Sequence, residues 1–114
     1  MKLKSRVEGD VGVIEISGSL SGGPEAEEYH QAVKQHVSEG RTKVLVDLGR
    51  VKHINSSGLG ILMASVATLG QAGGTLKLMR PGKRVSSLLM VTRLIQIFET
   101  YDDESSALAS FASS

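Results

Sequence analysis

Apolar and polar residues alternate along the first part of the chain, as they do in a half-buried β-strand. Leu3, Ser5 and Val7 alternate with charged residues, and the Gly9-Asp10 pair that follows is typical of a tight turn. A second β-rich run then covers Val11–Ser17. This pattern predicts that the chain opens with a β-hairpin.

Beyond the hairpin, stretches with the apolar spacing of a helix alternate with short apolar runs that are typical of buried strands. Proline, acidic residues and glycine mark several of the helix ends. In order, the pattern predicts a loop over residues 18–23, a helix from Pro24 to Gly40, a strand over Thr42–Leu48, a loop over residues 49–57, a helix after Ser57 that closes at Gly70, a strand over Thr75–Met79, a helix opening at Pro81, a strand over Ile95–Thr100 and a last helix capped by Asp102.

This alternation of strands and helices favours an α/β fold with a mostly parallel central sheet and an N-terminal hairpin strand. At 114 residues the chain has the length of one domain, which we expect to cover residues 1–114. Ligands and partners of such sheets gather at the carboxyl ends of the strands. The loops over residues 18–23 and 49–57 are therefore expected to lie close together at that edge.

Composition removes several classes of function. The chain has 13 Lys and Arg against 12 Asp and Glu, so no basic excess points to nucleic acid. It has no Cys and no Trp, which excludes disulfides, thiolate chemistry and a tryptophan stacking platform. Neither a signal peptide nor an apolar run long enough to cross a membrane is visible. We expect a cytoplasmic protein that needs no cofactor and binds neither membranes nor nucleic acid directly.

The segment with most functional content is Asn55-Ser56-Ser57-Gly58, between the third predicted strand and the long helix after it. Small hydroxyl side chains cap helix N-termini well, because their oxygen accepts a backbone N–H bond that the helix leaves open. The same position suits a phosphate group electrostatically. From these residues alone, the serines are either a structural cap or the site of a switch.

Known catalytic and metal-binding motifs do not fit the chain. The only Gly-Lys pair, Gly82-Lys83, lacks the earlier glycine and the following Ser or Thr of a phosphate-binding loop. Ser56 has a glycine on only one of the two sides that a nucleophile elbow needs. His30 and His36 are six residues apart, without a third metal ligand, and we expect both to be partly exposed helix residues. An enzymatic function is therefore not predicted.

At this point the sequence resembles a known family. The apolar strand Val44-Leu45-Val46, the Asp47-Leu48 pair, a short loop and the run Ser56-Ser57-Gly58-Leu59-Gly60 look like the signature of STAS domains, above all the bacterial anti-sigma factor antagonists. The stretches Ile14–Leu20, Gly73–Leu78 and Val85–Phe98 resemble other parts of that fold. The resemblance spans nearly the whole chain.

The resemblance implies a function and a set of residues. The antagonists of that family bind an anti-sigma factor that is also a serine kinase, and they thereby release the sigma factor. They are switched off by phosphorylation of the first serine of the pair, which is Ser56 here. A phosphatase can reset them. By the same comparison, the partner-binding residues would be Ser19, Ser21, Gly22, Gly23, Asn55, Ser57, Gly58, Leu59 and Gly60. This chain departs from the family pattern at Asn55 and Ser21, where aspartates are common.

Two other functions stay open on the sequence. The chain could be a scaffold subunit of a larger stress-signalling assembly, in which Ser56 is structural; otherwise we expect a monomer or a weak dimer. It could also bind a small ligand, a nucleotide or a lipid, at the strand ends. The basic residues that could serve such a ligand are Arg80, Lys83, Arg84 and Arg93.

Overall fold

The computed structural model describes residues 1–112. Within them, five strands form one sheet: β1 (Lys2–Glu8), β2 (Val11–Leu20), β3 (Lys43–Ile54), β4 (Thr75–Met79) and β5 (Glu99–Tyr101). The four α-helices of this part are α1 (Glu25–Ser38), α2 (Ser56–Gln71), α3 (Gly82–Val91) and α4 (Glu104–Ala112). The sheet order is β1-β2-β3-β4-β5. β1 is antiparallel to β2, and the three remaining pairs of neighbouring strands are all parallel. The predicted α/β fold with a hairpin start is confirmed.

The sheet is covered unequally on its two faces. Alternate residues of each strand point to opposite faces, and the side of Val44 and Val46 packs against α1, α2 and α3 in the larger apolar cluster. The other side, which includes Leu45, carries a smaller cluster with Ala107 and Phe111 of α4. Three helices therefore cover one face of the sheet, and α4 covers part of the other.

Both strands that approach the candidate site are longer than predicted. We expected loops over residues 18–23 and 49–57, but β2 continues to Leu20 and β3 to Ile54. The extensions pair with each other, Gly18 with Val51 and Leu20 with Ile54, through two register shifts. Most side chains of the extension of β3 are exposed or half-buried, so its sequence lacks the apolar run by which a buried strand is recognised.

Two predictions at the C-terminal end were wrong in detail. The first part of the expected strand over Ile95–Thr100 is a 3-10 turn at Leu94–Gln96, and β5 begins only at Glu99. The cap of α4 is Asp103 rather than Asp102, because the Asp103 carboxylate accepts the backbone N–H of Ser106 at 2.7 Å.

His36 was expected to be partly exposed, but it is buried with 2% of its surface exposed. Its Nδ1 accepts a hydrogen bond from Nε of Arg41 at 2.9 Å, and its Nε2 lies 2.7 Å from the hydroxyl of Ser5 on β1. Since the Arg41 group can only donate, the ring is neutral with its proton on Nε2, which donates to Ser5. Burial, followed by the nearby charge of Arg41, lowers the pKa of His36, and the charge of Glu39 opposes this only in part.

Candidate functional site

The N-terminus of α2 is capped by Asn55, not by a serine. The Asn55 side-chain oxygen accepts the backbone N–H of Gly58 at 2.9 Å, and its backbone is extended while Ser56 is already helical. Asparagine is as good a cap as aspartate or serine. Asn55 therefore caps α2 without placing a negative charge at its N-terminus.

Ser56 and Ser57 occupy the first turn of α2 and are both exposed. Within residues 1–112, neither side chain makes a hydrogen bond or an ion pair. The interpretation of Ser56 as a structural cap is therefore wrong. Its hydroxyl is accessible, and no contact of the fold depends on it.

Gly58 makes the tightest contact of this region. A Cβ atom on Gly58 would stand 1.9 Å from the carbonyl oxygen of Leu20 and 2.7 Å from its carbonyl carbon. Such distances leave no room for any side chain, so the glycine lets α2 pack on the end of β2. Gly58 is buried and Leu59 belongs to the core with 4% exposure. These two predicted partner-binding residues are thus interior, and their expected placement on the surface is wrong.

The two predicted segments do meet at the carboxyl ends of β2 and β3. The backbone N–H of Asn55 donates to the carbonyl of Leu20 at 3.4 Å. Gly22 has a φ of +91°, which favours glycine, and a Cβ there would lie 3.1 Å from Cβ of Ser57. The loop after β2 is therefore packed beside the first turn of α2.

The remaining candidate residues form one surface around Ser56. All are exposed except Gly22, which is half-buried. Gly60 is open enough that a Cβ atom would meet nothing within 4 Å. We call this set the serine surface: Ser19, Ser21, Gly22, Gly23, Asn55, Ser56, Ser57 and Gly60.

The serine surface has little charge of its own. The first turn of α2 contains no acidic residue, whereas that of α1 contains Glu25, Glu27 and Glu28. A helix N-terminus carries a partial positive charge of about half an elementary charge. In α2 that charge is not balanced by an acidic side chain in its first turn, so an anion attached to Ser56 is electrostatically compatible with the fold.

Asp47, part of the sequence signature, has a structural role. Its carboxylate accepts hydrogen bonds from Nη2 of Arg80 at 2.8 Å and from the backbone N–H of Gly49 at 2.9 Å. Burial alone would raise the pKa of Asp47, but these two donors outweigh it and lower the pKa. Arg80, considered above for an anionic ligand, is engaged in this ion pair.

The sequence did not indicate a groove that begins next to the serine surface. It has a volume of about 440 Å³ and lies between the end of β3 and α3. The lining residues are Ile54, Lys83, Arg84, Ser87, Leu88 and Val91. Lys83 and Arg84 were considered as ligand-binding residues, but Ile54, which closes the groove from β3, is distant from them in sequence.

Two other features are absent from the described part of the chain. Residues 1–112 contain no group of three or more His, Asp or Glu side chains placed to hold a metal ion. Among their helices, none combines the length and the apolar character needed to cross a membrane.

The fold is an α/β sheet with an antiparallel start, and its candidate site is an exposed surface at a helix N-terminus. A family model described as "Mlab, STAS domain" matches residues 4–99. The chain therefore belongs to the STAS domain family, whose anti-sigma factor antagonists are regulatory proteins rather than enzymes.

Similar proteins carry consistent names. A Thermotoga neapolitana protein named as an anti-sigma factor antagonist is 32% identical over 74 residues, which cover 65% of this chain and 66% of that protein, just under two-thirds of its length. A Thermotoga maritima structure with the same description superposes with a TM-score of 0.84 at 24% identity, covering 95% and 92% of the two chains. The Bacillus cell fate determinant SpoIIAA, solved in its phosphorylated form, gives a TM-score of 0.75 at 18% identity and covers 96% and 99%.

Proposed function

We propose that this chain is an anti-sigma factor antagonist that binds a serine-kinase anti-sigma factor through the serine surface. Phosphorylation of Ser56 by that kinase ends the interaction, and a serine phosphatase restores it. The observation that carries the proposal is the state of Ser56, which is exposed at the start of α2 and whose side chain makes no hydrogen bond or ion pair in residues 1–112. Membership of the STAS family and the names of its relatives support the part of the proposal that makes the chain an anti-sigma factor antagonist.

The physical effect of the modification falls on the complex. A phosphate adds about −1.5 to −2 charges at pH 7. On Ser56 it displaces no hydrogen bond and lies at the positive end of α2, so the free domain keeps its fold. In an interface without a matching cation, burial of that charge costs several kcal/mol, and ~1.4 kcal/mol already lowers affinity tenfold.

The neutral serine surface also bears on the choice of kinase. Asn55 and Ser21 stand where aspartates are common in the family, so a kinase that recognises those acids should bind this chain less well. The cognate anti-sigma factor should accept a surface of small neutral residues next to the phosphorylated serine. The surface with which that anti-sigma factor contacts this chain would have to be less basic than one that recognises aspartates.

A phosphorylation assay tests the proposal. The purified chain is incubated with ATP and each serine-kinase anti-sigma factor of its host, and the modified residue is mapped by mass spectrometry. We expect one phosphate on the wild type and on Ser57→Ala, and none on Ser56→Ala. Phosphorylation that persists in Ser56→Ala would contradict the proposal. So would a wild-type chain that forms a complex with none of the anti-sigma factors.

A further inference from the structure

The groove beside the serine surface is formed by one face of α3 and the end of β3. Lys83, Ser87 and Val91 follow one another at intervals of four residues along α3, so they lie on the same side of the helix. Ile54 closes the groove from β3. Because Ile54 directly precedes Asn55, the groove continues the serine surface without a break in the chain.

The chemistry of the groove changes along its length. Its basic residues, Lys83 and Arg84, lie in the first turn of α3, and the apolar residues that α3 contributes, Leu88 and Val91, lie towards the helix end. Val91 is 81% exposed and its neighbour Met90 is 67% exposed. Ile97, beyond the helix, is 51% exposed. Large exposed apolar side chains next to a groove mark a contact surface more often than isolated ones do.

The two cations of the groove have no counter-charge in the described chain. Neither Lys83 nor Arg84 takes part in an ion pair within residues 1–112, and the first turn of α3 contains no acidic residue. Positive side chains at a helix N-terminus oppose the helix dipole, which favours acids there. An acidic group from another molecule would relieve both the unpaired charges and the unfavourable dipole interaction.

We propose that this groove is a second contact for the anti-sigma factor and that it receives a segment of the partner with acidic residues at one end and apolar residues at the other. The acidic residues pair with Lys83 and Arg84, and the apolar residues pack on Leu88 and Val91. The inference rests on the proposed function, since it names the same partner. It extends the interface from the phosphorylated serine along α3.

Matched charge reversals test the groove. Lys83→Glu is compared with Lys34→Glu, which makes the same change at an exposed position of α1. Val91→Ser removes the apolar contact at the other end. A glutamate in the first turn of α3 is favourable to the helix, and thermal unfolding confirms that each variant is folded. Affinity for the purified anti-sigma factor is then measured by calorimetric titration at low and high salt.

We expect Lys83→Glu to weaken binding about tenfold, with a smaller salt dependence than the wild type. Val91→Ser should weaken binding several-fold, and Lys34→Glu should stay within about twofold of the wild type. If the wild type binds and Lys83→Glu binds equally well, or no worse than Lys34→Glu, the proposed role of the groove is overturned and the proposed function is not. A wild type that binds no anti-sigma factor overturns the proposed function and the groove together.

The same variants separate a protein partner from a lipid surface. Vesicles containing an anionic phospholipid are sedimented with the wild type and with Lys83→Glu. We expect neither protein to sediment with the vesicles. Co-sedimentation of the wild type that is lost in Lys83→Glu would assign the groove to a membrane surface and would overturn the inference of a protein segment.

Discussion

Two glycines of α2, only two residues apart, meet opposite surroundings. A Cβ atom on Gly58 would overlap the backbone of Leu20, whereas one on Gly60 would point into open space. Gly58→Ala should therefore lower the free energy of unfolding by ~1–3 kcal/mol or more, as overpacked sites do. Gly60→Ala should raise it by up to ~1 kcal/mol, because alanine is the better helix former. Denaturant unfolding of both variants measures the difference.

Gly60→Ala also reports on the serine surface. If the partner's backbone approaches Gly60 closely, the more stable variant will bind the anti-sigma factor more weakly than the wild type. Equal stabilities of Gly58→Ala and Gly60→Ala would contradict the packing of α2 on β2 described above.

The cap and the switch of α2 are different residues, and mutation can separate them. Asn55→Ala removes the side chain that accepts the Gly58 N–H, so it should lower stability by ~0.5–2 kcal/mol. Ser56→Ala removes an exposed hydroxyl without partners in residues 1–112 and should change stability by less than ~0.5 kcal/mol. Thermal unfolding of the two variants tests this. A large loss in Ser56→Ala would show that the serine has a structural role.

Sequence reasoning located this site but not its internal division of roles. Asn, Ser and Ser can each cap a helix, and only the backbone conformation shows that the helix begins at Ser56. A glycine in the first turn of a helix likewise indicates a close approach of another backbone, but the sequence does not show whether that backbone belongs to the fold or to a partner. The position of the Leu20 carbonyl, 38 residues earlier in the chain, decides between them.

At the scale of elements, the strands with a continuous apolar run were predicted well. β4 has the predicted bounds, and β3 begins one residue after the predicted Thr42. The extensions of β2 and β3 were missed because their pairing is held by backbone hydrogen bonds, with polar and half-exposed side chains. Those extensions leave Asn55 as the only residue between β3 and α2. The site is therefore held by strands rather than by a loop.

The contact between α1 and β1 predicts a dependence on pH. His36 of α1 is neutral in the fold and joins Ser5 to Arg41. Its pKa is lower in the folded chain than the ordinary value of 6.5. The unfolded chain therefore takes up a proton first as pH falls. The contribution of His36 to the free energy of unfolding should be fully present above about pH 6.5. It should decrease below that pH until the pKa of His36 in the folded chain is passed.

Denaturant unfolding between about pH 7 and pH 5 measures this slope. His36→Asn should unfold more easily at neutral pH and lose much of the slope. His30→Asn changes the other histidine of the same helix, which makes no side-chain hydrogen bond in the described residues, and should keep the wild-type slope. An unchanged slope in His36→Asn would show that other groups cause the dependence.

For the whole molecule, the alternation of elements predicted the mostly parallel sheet, the hairpin and the meeting of residues 18–23 with the start of α2. The unequal covering of the two faces was not predictable, because the apolar pattern of a helix does not show on which face of the sheet the helix packs. The groove along α3 depends on Ile54 meeting α3 across the fold, which sequence spacing does not show. Regulation by a single phosphate is compatible with this architecture because the serine surface lies outside both apolar clusters.

The central claim is that negative charge at Ser56 ends partner binding without disturbing the fold. Calorimetric titration of the anti-sigma factor with the wild type, Ser56→Asp and Asn55→Asp tests it most directly. Both variants add one negative charge at the N-terminus of α2, where acids are favourable by ~0.3–1 kcal/mol. Asn55→Asp also keeps the cap and restores an acid that is common in the family. We predict that Ser56→Asp binds at least about tenfold more weakly than the wild type while unfolding normally, and that Asn55→Asp, whose charge lies at the cap and not on the phosphorylated residue, loses less affinity than Ser56→Asp. Equal affinities of folded Ser56→Asp and wild type would contradict the account.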